Sequence, residues 1–131
     1  MSVSSSDGAI LLVEDELRLR RTLVRSLEGR GYRVVEAATA ADAVSAALST
    51  DFAVMLLDVN LPDATGWDVL RQLRAAGCEV PVVVLSAVPP NPTRVREFRP
   101  LGVLYKPFPI DALLRLIRLA CRASSPQEIF Q

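Results

Sequence analysis

Short apolar runs recur along this chain, separated by longer stretches in which apolar residues return every three or four positions. Runs such as Ala9-Ile10-Leu11-Leu12-Val13 and Phe52-Ala53-Val54-Met55-Leu56-Leu57 are typical of strands buried on both faces of a parallel sheet. The pattern predicts five strands, at about 9–13, 33–36, 53–57, 81–86 and 102–105.

Helical patterns fill the intervals between these strands. The first helix is predicted at 15–30, because Leu19, Leu23 and Leu27 fall on one helical face. The second and third open with the pattern Thr-x-x-Asp, which is typical of a capping box. Asn91 followed by Pro92 predicts the start of a short fourth helix. The four helices after the first are predicted at about 39–49, 65–77, 92–99 and 109–122.

The alternation of strands and helices predicts an α/β fold of βαβ units around a doubly wound, five-stranded parallel sheet. We expect right-handed crossovers, helices on both faces, and the strand order 2-1-3-4-5. That order has its switch point between strands one and three. The fourth helix is confined to about two turns, since prolines stand at 89, 90, 92 and 100.

A chain of 131 residues is long enough for one domain, which we place at residues 9–122 between tails at 1–8 and 123–131. Half of the residues are hydrophobic, so a buried core is expected rather than disorder. No stretch has the length of a membrane span, and the start lacks the order of a signal peptide. We therefore expect a cytoplasmic protein without a membrane partner.

Charge and residue usage exclude several classes of function. Lys and Arg balance Asp and Glu at 15 each, which removes a broad electrostatic case for direct nucleic-acid binding. The chain has no histidine, so histidine-based metal sites and catalytic triads are excluded. Cys78 and Cys121 form no C-x-x-C pattern, and two free thiols are expected.

Carboxylates follow two of the predicted strands. Asp58 ends the third strand, and Glu14-Asp15-Glu16 follows the first. Strands one and three are neighbours in the predicted order, so these carboxylates converge at the carboxyl edge of the sheet. Like charges that close repel one another, and a cluster of this kind commonly recruits a cation.

Four short motifs, each at the end of a predicted strand, resemble those of response-regulator receiver domains. The resemblance covers about residues 9–121 and implies a flavodoxin-like fold and a role in two-component or phosphorelay signalling. The motifs are Val13-Glu14-Asp15-Glu16, Asp58 with Pro62 and Gly66 after it, Ser86-Ala87, and Lys106-Pro107-Phe108.

The resemblance implies a role for each site residue. Asp58 would be the phosphoacceptor, taking a phosphoryl group from the phosphohistidine of a sensor kinase or phosphotransfer protein. Asp15 would bind Mg²⁺ directly, Glu14 through water, and Asn60 through its backbone carbonyl. The protein would then act enzymatically only in its own phosphorylation and dephosphorylation.

The other two motifs would handle the phosphoryl group itself. Lys106 would place its ammonium on one phosphoryl oxygen, and Ser86 would donate its hydroxyl to another. The family has a cis peptide bond before the proline that corresponds to Pro107. By contrast, Asp63 is interpreted as a turn residue, and Trp67 as packing for the third helix.

Two features depart from the family pattern. Three residues before the lysine the family usually has Tyr or Phe, whereas this chain has Val103. Tyr105 points to the same side of the strand and either substitutes in part or is a plain surface tyrosine. The short, proline-rich fourth helix also predicts an unusual partner surface or weakened switching.

Excess apolar residues on two helices suggest partner surfaces. On the first helix, Leu17 and Val24 lie off the main stripe among arginines, which is either a kinase-docking surface or a solvated face. On the last helix, Leu116 and Leu119 lie outside the core stripe and suggest a homodimer. Too few residues follow Arg122 for a DNA-binding module.

Two alternatives to a phosphoaccepting receiver remain open. One is a pseudo-receiver, an interaction module that keeps the fold without phosphorylation-driven switching, which Val103 favours and the acidic cluster opposes. The other is a Mg²⁺-dependent phosphohydrolase with an aspartate nucleophile. That class usually needs a second acid two residues after the nucleophile, where this chain has Asn60.

Overall fold

Five parallel strands form a single sheet in the order β2-β1-β3-β4-β5, which confirms the predicted order. The computed structural model describes residues 9–123, so the predicted tails lie outside the described residues except for residue 123. The strands are β1 Ile10–Val13, β2 Val34–Ala37, β3 Val54–Asp58, β4 Val82–Ser86 and β5 Gly102–Tyr105.

Within residues 9–123, four helices connect the strands and a fifth follows β5, and their ends follow local hydrogen bonding. The first begins after Asp15 and Glu16, which stay in the loop that follows β1. Thr65 and Asp68 form the complete capping box predicted for the third helix. Asn91 caps the fourth helix with Pro92 at its first position, also as predicted. The helices are α1 Leu17–Glu28, α2 Ala40–Ser49, α3 Gly66–Ala75, α4 Pro92–Phe98 and α5 Ile110–Ala123.

The core has two layers, one on each face of the sheet. Alternate residues of β1 and β3 contribute to opposite layers, as the pleat of a strand requires. One layer packs under α2, α3 and α4, and the other under α1 and α5. Every residue of β1 and β3 is buried. These two strands therefore fix the positions at which the loops that follow them begin.

The short fourth helix is held from one side by α3. None of its seven residues is fully buried, but Phe98 stacks on Trp67 with 6.0 Å between ring centroids. The guanidinium of Arg74 lies 4.6 Å from the Phe98 ring centroid and donates a hydrogen bond to the Glu97 carbonyl. The packing role predicted for Trp67 is confirmed, and it extends to α4.

The prediction that Leu116 lies outside the core-facing stripe of α5 is wrong. Leu116 is partly buried and packs with the layer under α1 and α5. It fills the space left by the missing side chain of Gly102, where an added Cβ would lie 2.7 Å from Leu116 Cδ1. Leu119 is 49% exposed, so it alone remains of the suggested dimer patch.

The interpretation of Asp63 as a plain turn residue is also wrong. Its Oδ1 accepts a hydrogen bond of 2.7 Å from the Ala40 amide, and its Oδ2 one of 3.0 Å from the Ala41 amide. These are free amides at the start of α2, which Thr39 also caps through the Asp42 amide. Asp63 therefore ties the loop after β3 to the second helix.

This tie predicts an acid-sensitive contribution to stability. The Ala40 and Ala41 amides hold the pKa of Asp63 below its ordinary value of 3.8. A carboxyl with a lowered pKa in the folded state stabilises the protein above its ordinary pKa, and the effect is lost as the pH falls through the lowered value. Asp63→Asn should lower the melting temperature at pH 7, and the difference from wild type should vanish in acid. Asp51→Asn, which removes another exposed acid, is the control and should change the melting temperature little at either pH.

Candidate functional site

The carboxyl ends of β1 and β3 bring three carboxylates together. Val13 pairs with Leu57, so Glu14 and Asp58 follow at the same level of the sheet. One carboxylate oxygen from each of Glu14, Asp15 and Asp58 lies within 4.8 Å of the others. Glu14 and Asp58 are buried and Asp15 is exposed, so the cluster opens to solvent on one side.

Lys106 reaches this cluster from the end of β5. Its Nζ lies 2.7 Å from Glu14 Oε1 and 3.1 Å from Asp58 Oδ2. Burial, the strongest influence, lowers the pKa of Lys106, but the hydrogen bonds and charges of both carboxylates outweigh it and raise the pKa overall. The lysine is therefore a protonated counter-ion for two buried acids.

Burial changes the acidity of the Glu14 carboxyl group. Burial raises its pKa above the ordinary value of 4.5, against the lowering effect of its hydrogen bonds with Lys106 and the Glu16 amide. A carboxyl with a raised pKa in the folded state favours folding at low pH, and that contribution is lost as the pH rises through the raised value. The ionised Glu14 thus costs stability, which is typical of functional carboxylates.

The loop after Asp58 curls back over the acid. Asp58 Oδ1 accepts a hydrogen bond of 3.1 Å from the Asn60 amide, and Asn60 forms an isolated bridge with Thr65. Gly66 closes the loop by donating to the Val59 carbonyl at 2.7 Å. A Cβ at Gly66 would lie only 2.7 Å from the Asp58 carbonyl oxygen, so the position requires glycine.

Ser86 lies at the end of β4, beside β3, but its hydroxyl is engaged elsewhere. The hydroxyl donates to the Val88 carbonyl and accepts from the Val88 amide. This turn fixes the start of the proline-rich loop that leads into α4. Ser86 is 1% exposed, so its hydroxyl is held inside the protein.

The end of β5 combines an expected feature with an unusual one. The Lys106-Pro107 peptide bond is cis, as the resemblance implied. Val103 packs against the layer under α2, α3 and α4, while Tyr105 is 52% exposed. Tyr105 pairs with Ser86 across the two strands.

Two charged residues that the sequence did not single out also belong to this edge of the sheet. Arg20 Nη1 donates to the Glu14 carbonyl at 2.8 Å, and Arg20 Nε contacts Glu36 Oε1 on β2 at 3.0 Å. Arg20 stands among four arginines of α1, and no sequence pattern separates it from its neighbours.

The donors present fit a hard divalent cation. Three carboxylates supply oxygen ligands, and the exposed one opens the cluster to water; oxygen ligands with retained water suit Mg²⁺. Asn60, whose backbone carbonyl is the further ligand expected from the resemblance, lies in the adjoining loop. The residues can therefore hold a metal ion beside the Asp58 carboxylate.

Comparison with known proteins settles the family. The family model of the response regulator receiver domain matches residues 10–118. The chain belongs to this family. Its acidic cluster fits the family's phosphoacceptor site, and no finding favours the pseudo-receiver alternative.

Curated relatives are 33–38% identical to this receiver domain over the aligned residues. The uncharacterized transcriptional regulatory protein YkoG of Bacillus subtilis is 38% identical over 117 residues, which cover 88% of this chain and 51% of YkoG. KdpE, a transcriptional regulatory protein of Mycobacterium tuberculosis, is 37% identical over 118 residues, covering 88% and 52%. This receiver domain thus spans about half the length of those relatives.

Solved structures agree on the fold. The chemotaxis protein CheY4 of Vibrio cholerae is 26% identical with a TM-score of 0.78, covering 86% of this chain and 98% of that one. Receiver domains are signalling domains, and response regulators interact with histidine kinases. No helix within residues 9–123 of this receiver domain is long and apolar enough to cross a bilayer.

Proposed function

We propose that this receiver domain takes a phosphoryl group from a kinase or phosphotransfer phosphohistidine onto Asp58 with Mg²⁺. One observation carries the proposal: the Lys106 ammonium contacts both Asp58 and Glu14 in a cluster that also contains Asp15. One edge of the sheet then holds the nucleophile Asp58, the cation Lys106 and the carboxylates that would bind the metal.

The transfer itself needs little from the protein beyond positioning. An oxygen of Asp58 forms a bond to phosphorus while the bond from phosphorus to the donor imidazole breaks, and the imidazole keeps the electron pair. Bound Mg²⁺ would neutralise charge on the phosphoryl oxygens. Asp15, Glu14, Asp58 and the Asn60 carbonyl are the residues that would hold it.

Lys106 and Ser86 are proposed to bind the transferred group. The Lys106 ammonium lies 3.1 Å from Asp58 Oδ2. It would therefore lie close to a phosphoryl group on Asp58 and would stabilise the negative charge of its oxygens. Ser86 must first release the Val88 backbone before its hydroxyl can reach the phosphoryl group. Phosphorylation is therefore proposed to loosen the loop that leads into α4.

A cavity beside Lys106 supports docking of a kinase or phosphotransfer helix. It measures about 430 Å³ and lies between α1 and the loop after β5. Leu17 is 50% exposed at the start of α1, while Val24 is partly buried in the core and contributes less than predicted. Five apolar residues, two hydroxyl residues and two charged residues line the cavity. They are Leu19, Leu23, Pro107, Phe108 and Ile110, then Thr22 and Ser26, then Glu16 and Lys106.

Other partner assignments remain proposals. Homodimerisation through α5 would depend on Leu119, because Leu116 is committed to the core. Direct nucleic-acid binding is not proposed for this chain, because its Lys and Arg residues balance its Asp and Glu residues at 15 each. We place the signalling role in the cytoplasm, where kinases present their phosphohistidines.

The decisive test is phosphorylation by a small phosphodonor. Incubation with acetyl phosphate and Mg²⁺ should add one phosphoryl group, detected by intact mass, and chelation of Mg²⁺ should abolish the addition. Asp58→Asn should remain unmodified, whereas the matched variant Asp63→Asn, five residues further on, should still be modified. No addition to the wild type, or an addition that survives in Asp58→Asn, would overturn the proposal.

A further inference from the structure

We infer that Arg20 is a positioning residue for the metal-binding loop, an inference that rests on the proposed Mg²⁺ site. Arg20 links three parts of the fold through one side chain that is only 15% exposed. Its backbone is in α1, its Nη1 binds the Glu14 carbonyl, and its Nε binds Glu36 on β2.

The loop from Glu14 to Glu16 is fixed on both sides of Asp15. The Glu14 carboxylate accepts from the Glu16 amide at 3.1 Å and from Lys106, while the Glu14 carbonyl accepts from Arg20 at 2.8 Å. Asp15 lies between these two anchored residues and is exposed. The positions of Glu14 and Glu16 therefore orient the Asp15 carboxylate. The hydrogen bond from Arg20 orients the peptide group that joins Glu14 to Asp15.

Glu36 fixes the guanidinium in turn. The planar guanidinium fork of Arg20 lets Nε and Nη1 bind two acceptors at once. Without Glu36 the guanidinium would keep one bond but lose the contact that sets its plane. Partners of this kind, which hold metal ligands without touching the metal, commonly contribute tenfold or more to metal affinity.

Electrostatics alone predicts the opposite result, which makes the inference testable. Removing a positive charge near an acidic cluster should tighten Mg²⁺ binding through Coulomb's law. Removing a residue that orients Asp15 should weaken it. Arg21 is the matched control, because it adjoins Arg20 in α1, carries the same charge and forms no ion pair with another described residue.

The experiment is a Mg²⁺ titration of the unphosphorylated protein, followed by NMR. Arg20→Met should weaken Mg²⁺ binding by about tenfold, while Arg21→Met leaves it unchanged or slightly tighter. Glu36→Gln should weaken binding less, and its effect should disappear when Arg20→Met is already present. In metal-free protein, the Glu16 amide, which donates to Glu14 Oε2, should exchange faster in Arg20→Met than in Arg21→Met.

The outcomes separate this inference from the proposed function. A wild-type protein that binds no Mg²⁺ overturns both. A wild type that binds Mg²⁺, with Arg20→Met binding as well as Arg21→Met, overturns only the role of Arg20. If Arg20→Met does not fold, the exposed substitution Glu36→Gln decides: unchanged affinity rejects the inference. If Glu36→Gln changes Mg²⁺ affinity equally with and without Arg20, the inference is also rejected, because the effect would then come from the lost charge of Glu36 and not from its contact with Arg20.

Discussion

Replacing Lys106 with methionine is expected to slow phosphorylation of Asp58 by acetyl phosphate about a hundredfold at saturating Mg²⁺. Among the described residues, Lys106 is the cation that contacts the Asp58 carboxylate, at 3.1 Å. Methionine keeps most of the length of the side chain but brings no charge to the phosphoryl oxygens. The rate is measured by intact mass over time, with Arg71→Met as a control that removes an exposed cation from α3.

The same variant should separate chemistry from metal binding. Lys106 occupies oxygens of Glu14 and Asp58 that a cation would otherwise approach, so its removal should leave Mg²⁺ binding as tight as before or tighter. A slow rate together with undiminished Mg²⁺ affinity is not a result that general misfolding gives. A phosphorylation rate close to that of the wild type would contradict the role assigned to Lys106.

Replacing Gly66 with alanine should destabilise the protein by about 2–3 kcal/mol, because the new Cβ has no space. It would lie 2.7 Å from the Asp58 carbonyl oxygen and 3.2 Å from Val59 Cα. Both are backbone atoms at the end of β3 and the start of the loop that follows it, so they cannot move aside as a side chain does. Urea unfolding measures the loss.

Gly102→Ala is a suitable control for this substitution. The Cβ added at Gly102 also meets an atom at 2.7 Å, but that atom is the end of the Leu116 side chain. A leucine side chain can change rotamer, so the cost should be clearly smaller than for Gly66→Ala. Equal losses for the two variants would show that close approach to the Asp58 backbone is not the cause.

Much of the fold was predictable because burial leaves a periodic trace in the sequence. The continuous apolar runs of β1 and β3 follow from burial on both faces, and the sequence order of strands and helices restricts the topology. Because β1 and β3 are parallel neighbours, Glu14 and Asp58 lie close together at the carboxyl edge of the sheet. Lys106 could be added only through the family resemblance, since no periodicity links residues 92 positions apart.

The roles of Asp63, Arg20 and Leu116 depended on contacts that periodicity does not encode. Asp63 caps a helix 23 residues earlier in the chain, and nothing in its own loop indicates that partner. Arg20 differs from its neighbouring arginines only in the direction of its side chain. Leu116 was misplaced because the helical stripe was drawn without knowing that Gly102 leaves space on the edge strand.

The stacking of Trp67 on Phe98 equips this domain with its own optical probe. Trp67 is the single tryptophan of the chain, and it lies where α3 meets α4. Trp67 is 8% exposed and is shielded by a helix that has no fully buried residue of its own. Any departure of α4 therefore brings water to the fluorophore, and the emission of an unlabelled sample reports the position of that helix.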